Sequence, residues 1–184
     1  MSIISIILIV LALIVFWFIL AYNSFIKGRN RIKEAWSDIE VQLKRRYNLI
    51  PNLLSAVKGY AAHEAGVLEK VTQARNQAMG ARNLKEKEKA ENNLTQSLKS
   101  LFAVSENYPD LKASSNFLEL QRELRDTEDK IQAARRFYNS NVKDFNIRRE
   151  SFPSKIVASI FNFKEKNLFK LEEKEARSVP KVSF

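Results

Sequence analysis

The first 26 residues carry no charged side chain, and this constrains the chain more than any other feature. Residues 3–21 are apolar except for Ser5, a run of about 19 residues, close to the ~20 that a helix needs to cross ~30 Å of hydrocarbon. Aromatic side chains cluster at the end of the run, as in the aromatic belts of membrane helices: Phe16, Trp17, Phe18 and Tyr22. The sequence therefore predicts a transmembrane anchor over residues 1–24.

A cleaved signal peptide is the competing interpretation of this run. Signal peptides begin with a basic region, have a shorter apolar core and end at a small-x-small cleavage site. No Lys or Arg precedes the run, and bulky side chains continue to Tyr22. We therefore expect an anchor that is retained.

Basic side chains follow the run directly: Lys27, Arg29, Arg31 and Lys33, and then Lys44, Arg45 and Arg46. Residues 27–60 hold eight basic and three acidic side chains. The anchor is expected in the cell membrane, that is, the inner or plasma membrane. By the positive-inside tendency, the long C-terminal part is expected in the cytoplasm and the N-terminus on the outer side. The first four basic residues are predicted to contact anionic lipid headgroups.

The chain has only four Gly and four Pro, which favours long helices. It has no Cys, which excludes disulfides and thiolate zinc sites. After the anchor, apolar residues recur in steps of three and four, with one gap: Ile32, Trp36, Ile39, Leu43, Ile50, Leu53 and Val57. Pro51 predicts either a kink or a fresh helix start. The stripe is then expected to continue as far as Gly80.

Two later helices are predicted from capping patterns, in which an Asn precedes a Glu by three residues: Asn83 with Glu86, and Asn116 with Glu119. The second of these helices carries the longest stripe: Phe117, Leu120, Leu124, Thr127, Ile131, Ala134, Tyr138, Asn141 and Phe145. The predicted fold class is all-α, an antiparallel bundle of long helices over residues 25–163 preceded by one transmembrane helix. Residues 164–184 are predicted to be a charged tail, a frayed helix passing into disorder, with Phe169 isolated in it.

No catalytic constellation is recognisable, so we expect no enzyme activity, no cofactor and no metal. His63 is the one histidine, and it lacks the second histidine of a helical zinc motif. Glu119, Glu123 and Glu128 lack the Glu-x-x-His pairs of a di-metal bundle site. The net charge of +10 divides evenly between residues 27–60 and the rest of the chain, so no concentrated basic face for nucleic acid is predicted.

Polar side chains occupy two positions of the longest stripe, Thr127 and Asn141. Together with His63 they form a candidate polar seam. Buried polar residues in a bundle fix helix register at some cost in stability, and the spacing favours that interpretation. A ligand pocket is the alternative.

Residues 34–53 read EAWSDIEVQLKRRYNLIPNL, a long and specific run. Shorter motifs are found at residues 30–31, 60–64, 74–75, 108–113, 127–128, 130–131, 134–136, 138–139, 146 and 152–153. From about Tyr22 to Phe169 the chain resembles the LemA family. It departs from the family pattern at Phe145, where Tyr is common, which puts a hydroxyl role there in doubt. It also departs at Asn162, within what is usually Phe-Gly-Phe in the closing helix.

The resemblance implies a single-pass bacterial membrane protein with an N-terminal span and a bundle of long helices. It brings no established enzymatic activity, cofactor or catalytic residue. Some members of the family are encoded beside membrane metalloproteases, so a membrane protease is one candidate among unidentified envelope partners.

Three functions are therefore to be distinguished. We expect first a membrane-tethered scaffold or adaptor that binds another protein through its helical faces at the cell envelope. The alternative is a ligand-binding sensor that uses the polar seam of His63, Thr127 and Asn141. Homo-oligomerisation through the long heptad stripe is a third hypothesis.

Overall fold

The structure is a computed structural model, and it describes residues 2–61 and 63–170. These residues form six helices and no strand: α1 (Ile3–Lys58), α2 (Ala65–Gly80), α3 (Leu84–Ser105), α4 (Pro109–Ala113), α5 (Ser115–Glu150) and α6 (Ser154–Ile160). The predicted all-α fold of long helices is confirmed. Within the described residues, α1 is the one helix that is long and apolar enough to cross a membrane.

The packing divides the chain into two compact units. Unit 1 contains the chain up to Glu40 together with Gln132–Leu168, and unit 2 contains Val41–Ile131 together with the described residues after Leu168. The boundaries fall inside α1 and α5, so both helices contribute to each unit. The predicted boundary after residue 24 lies within α1, which is unbroken there.

In unit 1, α1 packs antiparallel to α5. Phe25 lies edge-on to Phe145 with ring centroids 5.7 Å apart, and Trp36 lies edge-on to Tyr138 at 5.5 Å. Numbering therefore rises along α1 where it falls along α5. Phe163, from the segment after α6, stacks on Phe25 at a centroid distance of 4.7 Å. This aromatic cluster forms much of the core at the end of the unit where the apolar run finishes.

Residues 164–168 form a non-helical strap bonded to α5, so the predicted frayed helix is wrong for this part of the tail. The Asn146 side chain donates to the carbonyl of Lys166 at 2.8 Å and accepts from its N–H at 3.0 Å. The Tyr138 hydroxyl donates to the carbonyl of Asn167 at 3.0 Å. The predicted tail from residue 171 onward lies outside the described residues.

Asn162 precedes this strap and has a φ of 53°, in the left-handed region. Glycine adopts that conformation without steric cost, and asparagine adopts it more readily than most other residues. The departure from the family's Phe-Gly-Phe pattern therefore keeps a residue type that suits the backbone.

In unit 2, α2 and α3 form an antiparallel hairpin, because only residues 81–83 connect two helices that pack on each other. The start of α3 is confirmed: the Asn83 side chain accepts from the N–H of Glu86 at 2.9 Å. The Glu86 carboxylate reaches back to the N–H of Arg82 at 3.1 Å. The predicted end of α2 at Gly80 is also confirmed.

The core of unit 2 consists of buried apolar side chains from the long helices: Leu43, Ile50, Leu53, Val71, Leu94, Leu98, Leu101, Leu124 and Ile131. Phe169, predicted to be isolated, belongs to this unit and is fully buried. The N–H of the next residue, Lys170, donates to Glu88 of α3. The predicted cap at Asn116 is wrong, since α5 begins at Ser115 and Asn116 lies in its first turn.

Helix α1 continues through Pro51 and ends at Lys58. Of the two alternatives predicted at Pro51, the fresh helix start is therefore wrong. The predicted continuation to Gly80 is also wrong, because a connection separates α1 from α2. The proline ring removes the N–H that would donate to the carbonyl of Tyr47. That carbonyl instead accepts from Nε of Arg75 in α2 at 2.7 Å, so a side chain satisfies the backbone group that Pro51 leaves unpaired.

Candidate functional site

The residues predicted to contact lipid headgroups lie on α1 just after the apolar run, and all four are exposed: Lys27, Arg29, Arg31 and Lys33. Arg46, counted with the same basic flank, is only 1% exposed and lies inside unit 2. Its neighbour Arg45 approaches Asp126 of α5 at 3.7 Å. Arg46 is therefore not part of the exposed basic surface beside the apolar run.

Four polar side chains meet within the apolar core of unit 2, and we call them the polar layer. Arg46 and Tyr47 come from α1, Glu91 from α3 and Glu128 from α5. One terminal nitrogen of Arg46 donates to Glu91, and the other donates to Glu128 at 2.7 Å. The Tyr47 hydroxyl donates to the second carboxylate oxygen of Glu91. The polar layer thus joins three helices through one guanidinium.

Burial and charge act together in the polar layer. Glu91 is fully buried, whereas the Glu128 side chain is 31% exposed. Burial alone would lower the pKa of Arg46, but the negative charges of Glu91 and Glu128 outweigh it and the pKa is raised. Burial raises the pKa of Tyr47, and the Glu91 carboxylate raises it further. The layer therefore holds Arg46 as a cation and Tyr47 as a neutral phenol.

Further polar groups border the layer. The hydroxyl of Thr95 accepts from Arg46 at 3.4 Å. Lys87 donates to the carbonyl of Ala78 at 3.1 Å and lies 5.9 Å from the centroid of the Tyr47 ring, within the range of a cation–π contact. Among the described residues, Nε of Arg46 has no hydrogen-bond partner. Thr95 and Lys87, both of α3, thus contact Arg46 and Tyr47 of α1, and Lys87 also bonds to α2.

The three residues of the predicted polar seam lie in different surroundings. His63 is exposed in the connection between α1 and α2. Thr127 is fully buried in unit 2, and its hydroxyl donates to a carbonyl of its own helix at 2.7 Å. Asn141 is half-buried in unit 1 and also donates to its own helix, at 2.8 Å. The buried position that the sequence assigns to Asn141 belongs to the next residue, Val142.

The sequence contains a signal for the polar layer, which the prediction missed. The predicted stripe of α1 passes from Leu43 to Ile50, and helical spacing places Arg46 and Tyr47 in that gap. Glu91 lies one turn before the buried Leu94 on the stripe of α3. A charged side chain at such a position is ordinarily predicted to be exposed to solvent. Only the coincidence of opposite charges on two apolar stripes would have indicated a buried pair.

The chemistry of the polar layer is that of a buried ion pair that sets helix register. Sliding one helix by a turn would leave Arg46 or Glu91 buried without its partner, which is strongly unfavourable. Within the described part of the chain, no group of three or more His, Cys, Asp or Glu side chains is arranged to hold a metal ion.

Several known proteins are similar in sequence to this chain over most of its length. Protein LemA of Metamycoplasma hominis is 29% identical over 157 residues, covering 83% of this chain and 70% of that protein. Magnetosome protein MamQ 2 of Paramagnetospirillum magneticum is 24% identical over 191 residues. Magnetosome protein MamQ of Magnetospirillum gryphiswaldense is 23% identical over 191 residues. Both of these alignments cover 90% of this chain and 70% of the relative.

The LemA family pattern matches residues 35–184. The matched region contains the whole polar layer, and it contains Pro51 together with Arg75, which satisfies the carbonyl exposed by that proline. The resemblance seen in the sequence is confirmed, and the chain belongs to the LemA family.

Proposed function

We propose that this protein is a membrane-anchored helical scaffold that binds another protein at the cell envelope and catalyses no reaction. The observation that carries the proposal is the continuity of α1, which runs unbroken from the apolar residues 3–21 into the packed part of unit 1. Every described residue up to Trp17 is exposed, whereas Phe25, two turns later, is fully buried. An exposed apolar helix of that length is stable where lipid replaces water.

Packing at the end of the apolar run supports retention of the anchor. The ring of Tyr22 contacts that of Phe161, with centroids 4.6 Å apart. Arg148 donates to the carbonyl of Ser24 at 3.0 Å. A signal peptide ends at a small-x-small cleavage site after the apolar run. Here bulky side chains continue to Tyr22, and the stretch that follows is helical and packed against α5 and the segment after α6.

The exposed basic residues after the span favour a cytoplasmic location for the rest of the chain. The chain has no Cys, so single reporter cysteines test this directly. A membrane-impermeant maleimide should label Ser2→Cys in intact cells and should label Met79→Cys, at an exposed position of α2, only after permeabilisation. The reverse pattern would overturn the orientation.

A scaffold needs a surface of fixed shape, and the polar layer supports that role in unit 2. Its ion pairs join α1, α3 and α5, and a misaligned arrangement would leave a charge buried without a partner. Exposed apolar side chains on the long helices, among them Met79 and Phe137, are available to a partner.

A photo-crosslinking amino acid at Phe137 or Met79, in chains expressed at native level, tests for that partner. A scaffold should give a discrete crosslinked species of reproducible mass from at least one of these positions, which mass spectrometry then identifies. The same amino acid at Leu13, within the apolar run, supplies the control pattern of lipid and bulk membrane protein. If both positions give only the Leu13 pattern, the scaffold proposal is wrong. A species of twice the chain mass would identify a second copy as the partner.

A further inference from the structure

The short helix α6 and the residues beside it expose an apolar face. Ile156 and Ile160 are four residues apart, so they lie on one side of the helix, where they are 47% and 62% exposed. Val157, which points elsewhere, is fully buried. Phe152, in the turn before α6, is 83% exposed, and Phe161, directly after it, is 46% exposed. We call Phe152, Ile156, Ile160 and Phe161 the α6 patch.

Ring contacts place Phe161, the last residue of the α6 patch, beside the end of the apolar run. The centroid of Phe161 lies 5.9 Å from that of Phe18 and 4.6 Å from that of Tyr22. Phe18 and Tyr22 are among the aromatic side chains at the end of the apolar run. In a membrane helix, such side chains lie at the boundary between acyl chains and headgroups. Because a bilayer is planar, a segment held against α1 at this height lies at the same boundary.

The charge of the segment fits that boundary as well. Residues 151–164 contain two basic side chains, Lys155 and Lys164, and no acidic one. Both lysines are exposed: Lys155 lies next to Ile156 within the patch, and Lys164 follows Phe161 by three residues. Apolar side chains flanked by cations are typical of segments that lie in the interface of an anionic membrane.

We propose that the α6 patch is a second membrane contact, inserted at the acyl–headgroup boundary of the bilayer that α1 crosses. This inference rests on the proposed anchoring and adds to it a surface that fixes which side of unit 1 faces the lipid. A single span leaves a domain able to rotate about the span axis, whereas a second contact at the same height removes that freedom. The occupant of the patch is therefore lipid.

Spin labels at single cysteines in the full chain, reconstituted in nanodiscs of zwitterionic and anionic lipid, test this contact. Oxygen concentrates in the bilayer, whereas a water-soluble nickel chelate is excluded from it. The ratio of oxygen to nickel collision rates should be severalfold higher for Ile156→Cys and Ile160→Cys than for Phe137→Cys. Phe137 is the matched control because it is 54% exposed in the same unit and adjoins Tyr138, which contacts Trp36 well beyond the apolar run.

A label at Leu13→Cys separates failure of this inference from failure of the anchor. If the Leu13 label is shielded from nickel while the Ile156 and Ile160 labels match Phe137, the anchor stands and the α6 contact is wrong. If the Leu13 label is itself accessible to nickel, the anchor is wrong and the α6 contact with it. If Ile160→Cys is shielded from both reagents and forms disulfides between copies, protein rather than lipid covers the patch, and the inference is overturned.

Discussion

Arg75 of α2 donates through Nε to the backbone carbonyl of Tyr47 in α1, over 2.7 Å. This carbonyl lies one helical turn before Pro51, whose ring nitrogen carries no hydrogen. A proline inside a helix ordinarily costs about 3 kcal/mol, in part because it leaves such a carbonyl without a donor. The side chain of the neighbouring helix supplies the missing bond and ties α2 to the proline turn of α1.

Replacing Arg75 should therefore be costly only where Pro51 is present. Arg75→Met is expected to lower the free energy of unfolding by about 1.5–3 kcal/mol, the range for a hydrogen bond from a charged group. In the Pro51→Ala background, residue 51 supplies an N–H to the same carbonyl, so Arg75→Met should cost much less. Urea titrations of the full chain in detergent, followed by circular dichroism, give the four free energies of this cycle. Equal costs in both backgrounds would show that Arg75 acts through something other than the Tyr47 carbonyl.

Glu91→Gln should be among the most destabilising conservative substitutions in unit 2. It leaves Arg46 buried with only the partly exposed Glu128 as counter-charge, so the free energy of unfolding should fall by about 3 kcal/mol. Asp129→Asn, an exposed carboxylate next to Glu128, is the control and should change it by less than about 0.5 kcal/mol. The same urea titrations measure both variants.

A double variant separates the ion pair from simple packing. Arg46→Met combined with Glu91→Leu removes both buried charges, so it should be more stable than Glu91→Gln alone. If Glu91→Gln costs no more than Asp129→Asn, the ion pair contributes nothing to the fold of unit 2, and its assignment to helix register is wrong.

The raised pKa of Tyr47 leads us to expect a loss of stability at alkaline pH. Burial, and then the Glu91 charge, raise its pKa in the folded chain above the 10.0 of an exposed tyrosine. Its contribution is therefore fully present below about pH 10 and is lost as pH rises above that value, by up to about 1.36 kcal/mol per pH unit. Tyr47→Phe cannot ionise, so its free energy of unfolding should decline less steeply there, and the gap to the unsubstituted chain should narrow.

The measurement is the free energy of unfolding on both sides of this pH, with Tyr60→Phe as the control because Tyr60 is 48% exposed. Tyr60→Phe should keep the slope of the unsubstituted chain. Parallel curves for Tyr47→Phe and the unsubstituted chain would show that the Tyr47 phenol ionises as easily in the folded state as in the unfolded one.

Local signals explain which parts of this fold could be predicted. The Asn83 cap, the end of α2 at Gly80 and the stripe of α5 depend on residues within a turn or two of each other. All are confirmed except at two positions of the stripe, Ala134 and Asn141, which are only partly buried. The apolar run was equally local, because its length alone matches a bilayer.

The parts that the sequence did not predict depend on residues distant along the chain. The Arg46–Glu91 pair joins residues 45 apart, and neither charge indicates burial until the two stripes are aligned. The connection after Lys58 follows an apolar stripe that continues past it, so periodicity alone could not end α1 there. Charged residues precede and follow Phe169 along the sequence, so the sequence does not indicate that this segment packs. The hydrogen bond from Lys166 to Asn146, which is distant along the chain, shows that the strap is held against α5.

Asn146 and Asn141 form a matched pair on α5 for testing the strap. The Asn146 amide makes two hydrogen bonds to the backbone of Lys166, whereas the Asn141 amide donates only to its own helix. Asn146→Ala leaves a strap N–H and carbonyl unpaired, so the Lys166 amide, which donates to Asn146, should exchange roughly tenfold or more faster, equivalent to about 1.4 kcal/mol of local stability. Asn141→Ala should leave its exchange unchanged. Hydrogen exchange of the full chain, followed by mass spectrometry of the strap peptide, makes the comparison. If the two variants exchange alike, the Tyr138–Asn167 bond and the Phe163 contacts hold the strap without Asn146.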